Sequence, residues 1–493
     1  MRLFFIFLFF IPSAFSGAAQ TPAQRPNIIY IYADDLGYGE LGSYGQEKIK
    51  TPNLDRMATE GMRFTQHYSG APVCAPSRCM LMTGKHSGHS YIRGNYGLGS
   101  GRDSEERGQM PLPENTFTIA GMLRQRGYRS GVIGKWSLGF HDNSGNPLKQ
   151  GFDYQYGFLD QSNAHNHYPT HQWENGRYDS LDNPAFWVHS SIDAKTATDA
   201  DFAKFSGNDY AAAKVTEKAV KFIEREKDGP FFLYLPYTLP HLALQAPEDY
   251  VKRYIGQFNE QPYFGNAGYS PSKYPKSTYA AMITYLDDQV GIILATIRKL
   301  GLDKNTLVMF SSDNGTSAGP IVDAKFFNST AGLRGVKKSL YEGGYRVPFI
   351  AHWPGKVPAN TVNNHVSAQF DIMQTLAELT GNKIINTDGI SLLPTLTGKD
   401  ASQEKHPHLY FEFAEGSGQV AVRLGDWKGI RKDMKADPNA PWELYDLAAD
   451  VSEKNNVAAA HPDILARMAD IARKEHVHPH ILEWEFIDPI VKK

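Results

Sequence analysis

Three short stretches of this chain carry side chains that could do chemistry together. Asp34-Asp35 and Asp313-Asn314 each follow an apolar run, Asn27 to Ala33 and Thr306 to Phe310. Such runs predict buried strands, and ligands of open α/β sheets gather at the carboxyl ends of strands. Three carboxylates and an amide form a hard, all-oxygen donor set that selects Ca2+ or Mg2+ over zinc. Taken singly, Asp-Asp also serves as a helix cap and Asp-Asn-Gly as a turn. Between the pairs lies Cys74-Ala75-Pro76-Ser77-Arg78. A cysteine there is a nucleophile, a disulfide partner or a target for modification. The second cysteine is Cys79, so the disulfide reading amounts to one bridge. Pro76 pins its own φ, and Cys79-Met80-Leu81-Met82 predicts a buried helix whose start, with Arg78, can hold an anion.

The C-x-P-S-R run, with Thr83-Gly84 downstream, resembles the signature of the formylglycine-dependent type I sulfatases of the alkaline phosphatase superfamily. Gly127-Tyr128-Arg129-Ser130 through Gly134-Lys135-Trp136 matches that family's second signature. Pro240-His241, and Leu333 to Lys337 ahead of Tyr341-Glu342-Gly343-Gly344, follow in the family's order. The resemblance implies that a maturing enzyme oxidises Cys74 to formylglycine, whose hydrated form attacks sulfur. It implies Ca2+, with Mg2+ the lesser alternative, on Asp34, Asp35, Asp313, Asn314 and residue 74. Lys135, Lys337 and Arg78 would stabilise the sulfate oxygens, and His241, with Lys337, would protonate the leaving alcohol. One position departs from the pattern. Many members carry His two residues after the first lysine, and this chain has Ser137. Serine is no base near neutral pH, so Ala164-His165-Asn166-His167 is the expected source of a replacement. Histidines two apart on an extended segment point oppositely, so at most one faces the site.

For substrate contact the candidates are His86, His89, Tyr91, Arg93 and Asn95, together with His165 and His167. The first five fit a loop packed on the sheet equally well. Asp160-Gln161 and Ala164-His165-Asn166 look similar to bacterial polysaccharide-degrading sulfatases, which implies removal of sulfate from a galactose- or N-acetylgalactosamine-type sugar. Two other readings stand beside this one. They are a phosphate or phosphonate ester hydrolase of the same superfamily, and a catalytically silent protein that binds sulfated sugars.

These groups need a scaffold to bring them together. The 493 residues carry 51 Lys and Arg against 53 Asp and Glu, without a long basic block, which argues against non-specific nucleic-acid binding. Apolar strands alternate with helical stretches such as Asp209 to Arg225 and Thr278 to Leu300. The expected fold is α/β, a large mostly parallel sheet sandwiched by helices, plus a smaller C-terminal antiparallel sheet with a helix. The expected divisions are a signal peptide over 1–19, a catalytic domain over 25–389 and a C-terminal subdomain over 390–493. Arg2, the apolar run Leu3 to Ile11 and the small residues after it read as an export signal, too short for a comfortable membrane span. The expected location is periplasmic or secreted.

Overall fold

A computed structural model of the chain describes residues 25–488, apart from 101, 384 and 385. The expected signal segment lies outside the described residues. A ten-stranded sheet forms the centre. Its strand order is Thr361–Asn363, Met62–Phe64, Phe349–His352, Thr306–Ser312, Asn27–Ala33, Phe231–Pro236, Arg129–Lys135, Tyr154–Phe158, His171–Glu174, Arg177–Ser180. The five strands from Thr306–Ser312 to Tyr154–Phe158 run parallel. Antiparallel pairs flank them on both sides.

Asn27–Ala33 is buried along its whole length. Successive side chains of a strand point to opposite faces. Ile28, Tyr30 and Tyr32 accordingly enter one apolar cluster with Cys79, Leu81 and Met82, while Ile29, Ile31 and Ala33 enter another with Phe222, Ile283 and Leu286. The second cluster is built by the helices Ala211–Glu226 and Pro275–Lys299. Pro275 fits the first turn of its helix, which lacks intrahelical N–H partners in any case, and Arg298 and Lys299 complement the dipole at its far end. Among the described residues this is the helix long and apolar enough to cross a bilayer, and most of that stretch is buried inside the protein.

Four antiparallel strands, Leu409–Phe413, Gln419–Leu424, Trp427–Arg431 and Trp442–Asp446, make the second sheet. Met468 and Ala472 of the helix Pro462–Glu475 pack on it. Its other face meets Tyr68, Tyr345 and Phe370. Lys428 reaches out of this sheet to Glu342 at 2.9 Å and Glu453 at 2.8 Å, all buried. This ion cluster ties the second sheet to the loop that carries Lys337.

Candidate active site

Register places the first acids side by side. Ala33 pairs with Ser312 on the neighbouring parallel strand, so Asp34 and Asp313 emerge together at the carboxyl edge. The Asp35 amide, held at φ +64°, donates to Asp313 Oδ1 at 3.0 Å. Leu36 N donates to Ser312 Oγ at 2.9 Å and fixes the turn. Asn314 Nδ2 donates to Asp35 Oδ1 at 2.7 Å.

Cys74 opens the helix Cys74–Thr83, one turn before Arg78. Asn95 Oδ1 accepts from Ala75 N at 3.1 Å, so a side chain occupies one of the free amides of the first turn. Cys74 Sγ lies 3.3 Å from Asp34 Oδ1 and 4.0 Å from Asp35 Oδ1. Both cysteines are free thiols, and Cys79 is buried in the apolar cluster.

Three cations complete the constellation. Lys135 Nζ donates to Asp34 Oδ2 at 2.6 Å. Its strand approaches Phe231–Pro236 so closely at Gly134 that a Cβ there would sit 1.9 Å from Pro236 O, at φ +134°. Arg78 donates to Asp313 Oδ2 and to Lys135 O, each at 2.8 Å. Lys337 Nζ donates to Asp35 Oδ2 at 2.7 Å and lies 3.6 Å from Cys74 Sγ. Lys337 is held by its own amide bonded to Thr316 O, while Gln419 of the second sheet brackets the next residues through Lys338 O and Leu340 N.

The electrostatics follow from burial and these pairs. Burial opposes charge on Asp34, yet Lys135, His241, Arg78 and Lys337 hold its carboxyl well below the usual range. Burial and the neighbouring Asp34 carboxylate push Asp313 up to about 7 in spite of Arg78. Burial, with Asp34 beside it, also pushes the Cys74 thiol up. Three carboxylates converge at one point, each answered by one of the three cations. Asn314 Oδ1 is buried beside them without a hydrogen-bond donor. A hard dication fits this donor set, because all four donors are oxygens and the Asn314 amide oxygen has no other partner.

His241 closes the other side, its Nε2 3.5 Å from Asp35 Oδ2. Its Nδ1 lies 2.5 Å from Leu242 O, an acceptor, so Nδ1 carries a proton. Burial draws the ring down to about 4 against the pull of Asp35. His165 stacks on His241, with centroids 4.7 Å apart and planes at 7°. His167 points elsewhere and spans Thr238 Oγ1 at 3.1 Å and His241 O at 2.9 Å, which fixes the His241 loop. Ser137 is buried at φ +63°, and its Oγ has no partner.

The structure thus brings Asp34, Asp35, Cys74, Arg78, Lys135, His241, Asp313, Asn314 and Lys337 together, with His165 beside them. Asn95 acts on the first turn of the Cys74 helix. Arg93 is engaged inside the protein, by Glu412 at 2.6 Å and the carbonyls of Ser90 and Gly88. His86 and His89 belong to a separate cluster with Asp388 and Glu475. Tyr91 stacks on His480 at 3.8 Å. Sequence reasoning missed Ser317, which donates to Asp35 Oδ2 at 2.6 Å, although it lies three residues past Asn314. It also missed Tyr269 and His189, whose rings pack against His165 and have no local signal.

A cation-rich cluster at the carboxyl edge of a parallel sheet, with hard oxygen donors and a cysteine at a helix start, fits an enzyme acting on a tetrahedral oxyanion. The chain belongs to the sulfatase family, whose model matches residues 26–382, and it is a sulfatase, a sulfuric ester hydrolase. A second model, described as the C-terminal part of N-sulphoglucosamine sulphohydrolase, matches residues 336–475. The chain is 30% identical to N-acetylgalactosamine-6-O-sulfatase of Bacteroides thetaiotaomicron, over 91% of this chain and 93% of that one. It is 32% identical to N-acetylgalactosamine-6-sulfatase of Canis lupus familiaris, over 85% of this chain and 74% of the relative. The solved structure of Ps i-CgsB superposes with a TM-score of 0.72 at 27% identity, covering 93% of this chain and 94% of the other.

Proposed function

We propose that this sulfatase removes sulfate from a sulfated carbohydrate of the galactose or N-acetylgalactosamine type, with Cys74 converted to formylglycine and Ca2+ held by Asp34, Asp35, Asp313 and Asn314. The sugar assignment is supported by the two relatives that act on N-acetylgalactosamine 6-sulfate by name. The observation that carries the reading is the meeting of Asp34 and Asp35 at residue 74, with Asp313 and Asn314 bonded to Asp35 and Lys135 and Lys337 paired to the two acids. Formylglycine and Ca2+, when present, supply a hydroxyl nucleophile of lowered pKa that regenerates without water attack on a sulfur ester.

The remaining work falls to the chain's own residues. Lys135 and Lys337 flank residue 74 and are placed to take the charge that builds on the sulfate oxygens. Arg78 engages Asp313 and the Lys135 carbonyl, so it holds both in register. The leaving sugar oxygen needs a proton. With Nδ1 donating to Leu242 O and burial keeping the resting ring neutral, His241 presents Nε2 toward the site as an acceptor; a sulfate ester bound beside it favours the cation and lets Nε2 take up the proton that passes to the leaving oxygen, with Lys337 as the neighbouring donor. His165, stacked on His241, is the neighbour that compensates for Ser137.

Export and a maturing enzyme complete the proposal. Intact-mass analysis of the peptide bearing residue 74 tests the conversion, and sulfate release from a panel of sulfated sugars tests the activity. A thiol at residue 74 in fully active protein would sink the formylglycine reading. Release of phosphate or phosphonate in preference to sulfate would favour the superfamily alternative.

A further inference from the structure

A path of aromatic rings leads from the catalytic cluster to a groove on the surface. His165 stacks on His241 at 4.7 Å, His189 packs edge-on against His165 at 5.4 Å, and Trp187 packs on His189 at 4.8 Å. Tyr269 lies against His241, His165 and His189. Beyond Trp187 opens a cavity of about 390 Å³ walled by Arg102, Asp103, Thr170, Tyr178, Phe186 and Trp187.

Three features of this wall ask for a ligand. Tyr178 is 56% exposed, yet its ring is held in place by stacking on His171 at 3.9 Å, and His171 is bonded to Glu106 at 2.9 Å. An exposed aromatic face kept in one orientation is an ordering cost already met before binding. The Arg102 guanidinium lies over the Trp187 ring at 4.7 Å and has no carboxylate partner among the described residues. The nearest acid on the wall, Asp103, is engaged by Thr170 N at 2.9 Å and Thr170 Oγ1 at 2.7 Å. A free fork-shaped cation on an aromatic plane, next to a second aromatic face, suits a sugar ring that carries an anion.

We propose that the groove of Arg102, Tyr178 and Trp187 is a second sugar subsite, which makes the substrate a sulfated oligosaccharide whose next unit bears a carboxylate or a sulfate. The inference rests on the sulfatase reading of the catalytic cluster. The terminal sulfated sugar sits at His241 and Lys337, and the chain then follows Tyr269 and His189 to the groove. Trp187 and Tyr178 take the apolar faces of the second ring, and Arg102 pairs with its anion.

The test compares a 6-sulfated N-acetylgalactosamine monosaccharide with two trisaccharides that begin with the same sugar. In one the second unit is a uronic acid, and in the other it is a sulfated neutral sugar. Binding is measured by calorimetry on full-length protein carrying Cys74→Ala, with and without Arg102→Glu. We expect Arg102→Glu to weaken at least one trisaccharide by about tenfold or more and to leave the monosaccharide unchanged. The trisaccharide affected names the anion. Tyr178→Ala should weaken both trisaccharides. Equal affinity of all three ligands for the unchanged groove, no trisaccharide binding, or equal losses on every ligand in Arg102→Glu would overturn the subsite. Failure of the sulfatase reading is distinct, because it appears as absent sulfate release by the matured wild-type protein from every sugar tried.

Discussion

Two clusters in this molecule are built from the same kinds of side chain and behave oppositely. Asp34, Asp35 and His241 surround Cys74 at the sheet edge, while His86 and His89 meet Asp388 and Glu475 near the junction with the second sheet. The second cluster satisfies itself. Glu475 bonds His86 at 3.0 Å and His408 at 2.9 Å, and Asp388 bonds the His86 amide and the His89 ring. His86 Nδ1 accepts from Gly88 N, which leaves Nε2 as its donor. The first cluster is fully buried, gathers three cations from distant segments and still leaves Asn314 Oδ1 unmet. Histidine and carboxylate composition therefore does not separate a site from a latch. Between these two clusters the difference is a buried oxygen left unmet beside converging carboxylates.

The comparison can be broken by exchanging damage between the clusters. Lys135→Ala should cut the turnover of the matured enzyme by about 10²–10³-fold, the usual cost of losing one preorganised donor. Glu475→Gln should leave turnover unchanged and lower the melting temperature. Sulfate release and thermal unfolding on both variants check this pair, and comparable turnover losses would erase the distinction.

A finer test lies within the catalytic region. His165→Ala removes a ring from the face of His241, whereas His167→Ala frees the loop that carries it. We expect both to lower kcat, by about tenfold or more, since misplacement near the chemistry is costly. The pH–rate profile should move in His165→Ala and keep its shape in His167→Ala. Unchanged turnover in both would remove these histidines from the account.

The smallest expected effect concerns acid stability at the latch. Asp388 is held at about 2 by His89 and His86 against burial, and Glu475 at about 2 chiefly by its bond to His86. Folded-state values below the unfolded ones mean stabilisation that is complete above roughly pH 4 and fades as pH falls toward the folded values. Asp388→Asn should thus cost about 1 kcal/mol at pH 6, since partial exposure screens such pairs, and almost nothing near pH 2. Denaturant unfolding of the two proteins at both pH values measures the difference.

The central strands were legible because Asn27–Ala33 and Thr306–Ser312 are nearly continuous apolar runs, each ending in acids. The last two strands of the sheet, His171–Glu174 and Arg177–Ser180, were not, being short, polar and defined by pairing rather than periodicity. Phe349–His352 was readable as a strand, while its antiparallel direction was not. Motif residues such as Lys135 and Lys337 could be placed because their neighbours carry the signature. Arg93 illustrates the opposite case. It lies close to Cys74 in sequence, but its partner is Glu412, and a contact over 319 positions leaves no local trace. The stacking of His165 on His241 depends likewise on two loops meeting in space.

Cys74 is 1% exposed, shut beneath Asp34 and beside the Arg78–Asp313 pair, acids drawn from well-separated parts of the chain. A visiting enzyme cannot reach such a thiol once Thr306–Ser312 has docked. The proposed conversion is therefore a one-time event in the life of each molecule, completed while the polypeptide is still open. On that proposal, molecules that closed before conversion would stay inert, and the active fraction of a preparation would record how well maturation kept pace with production.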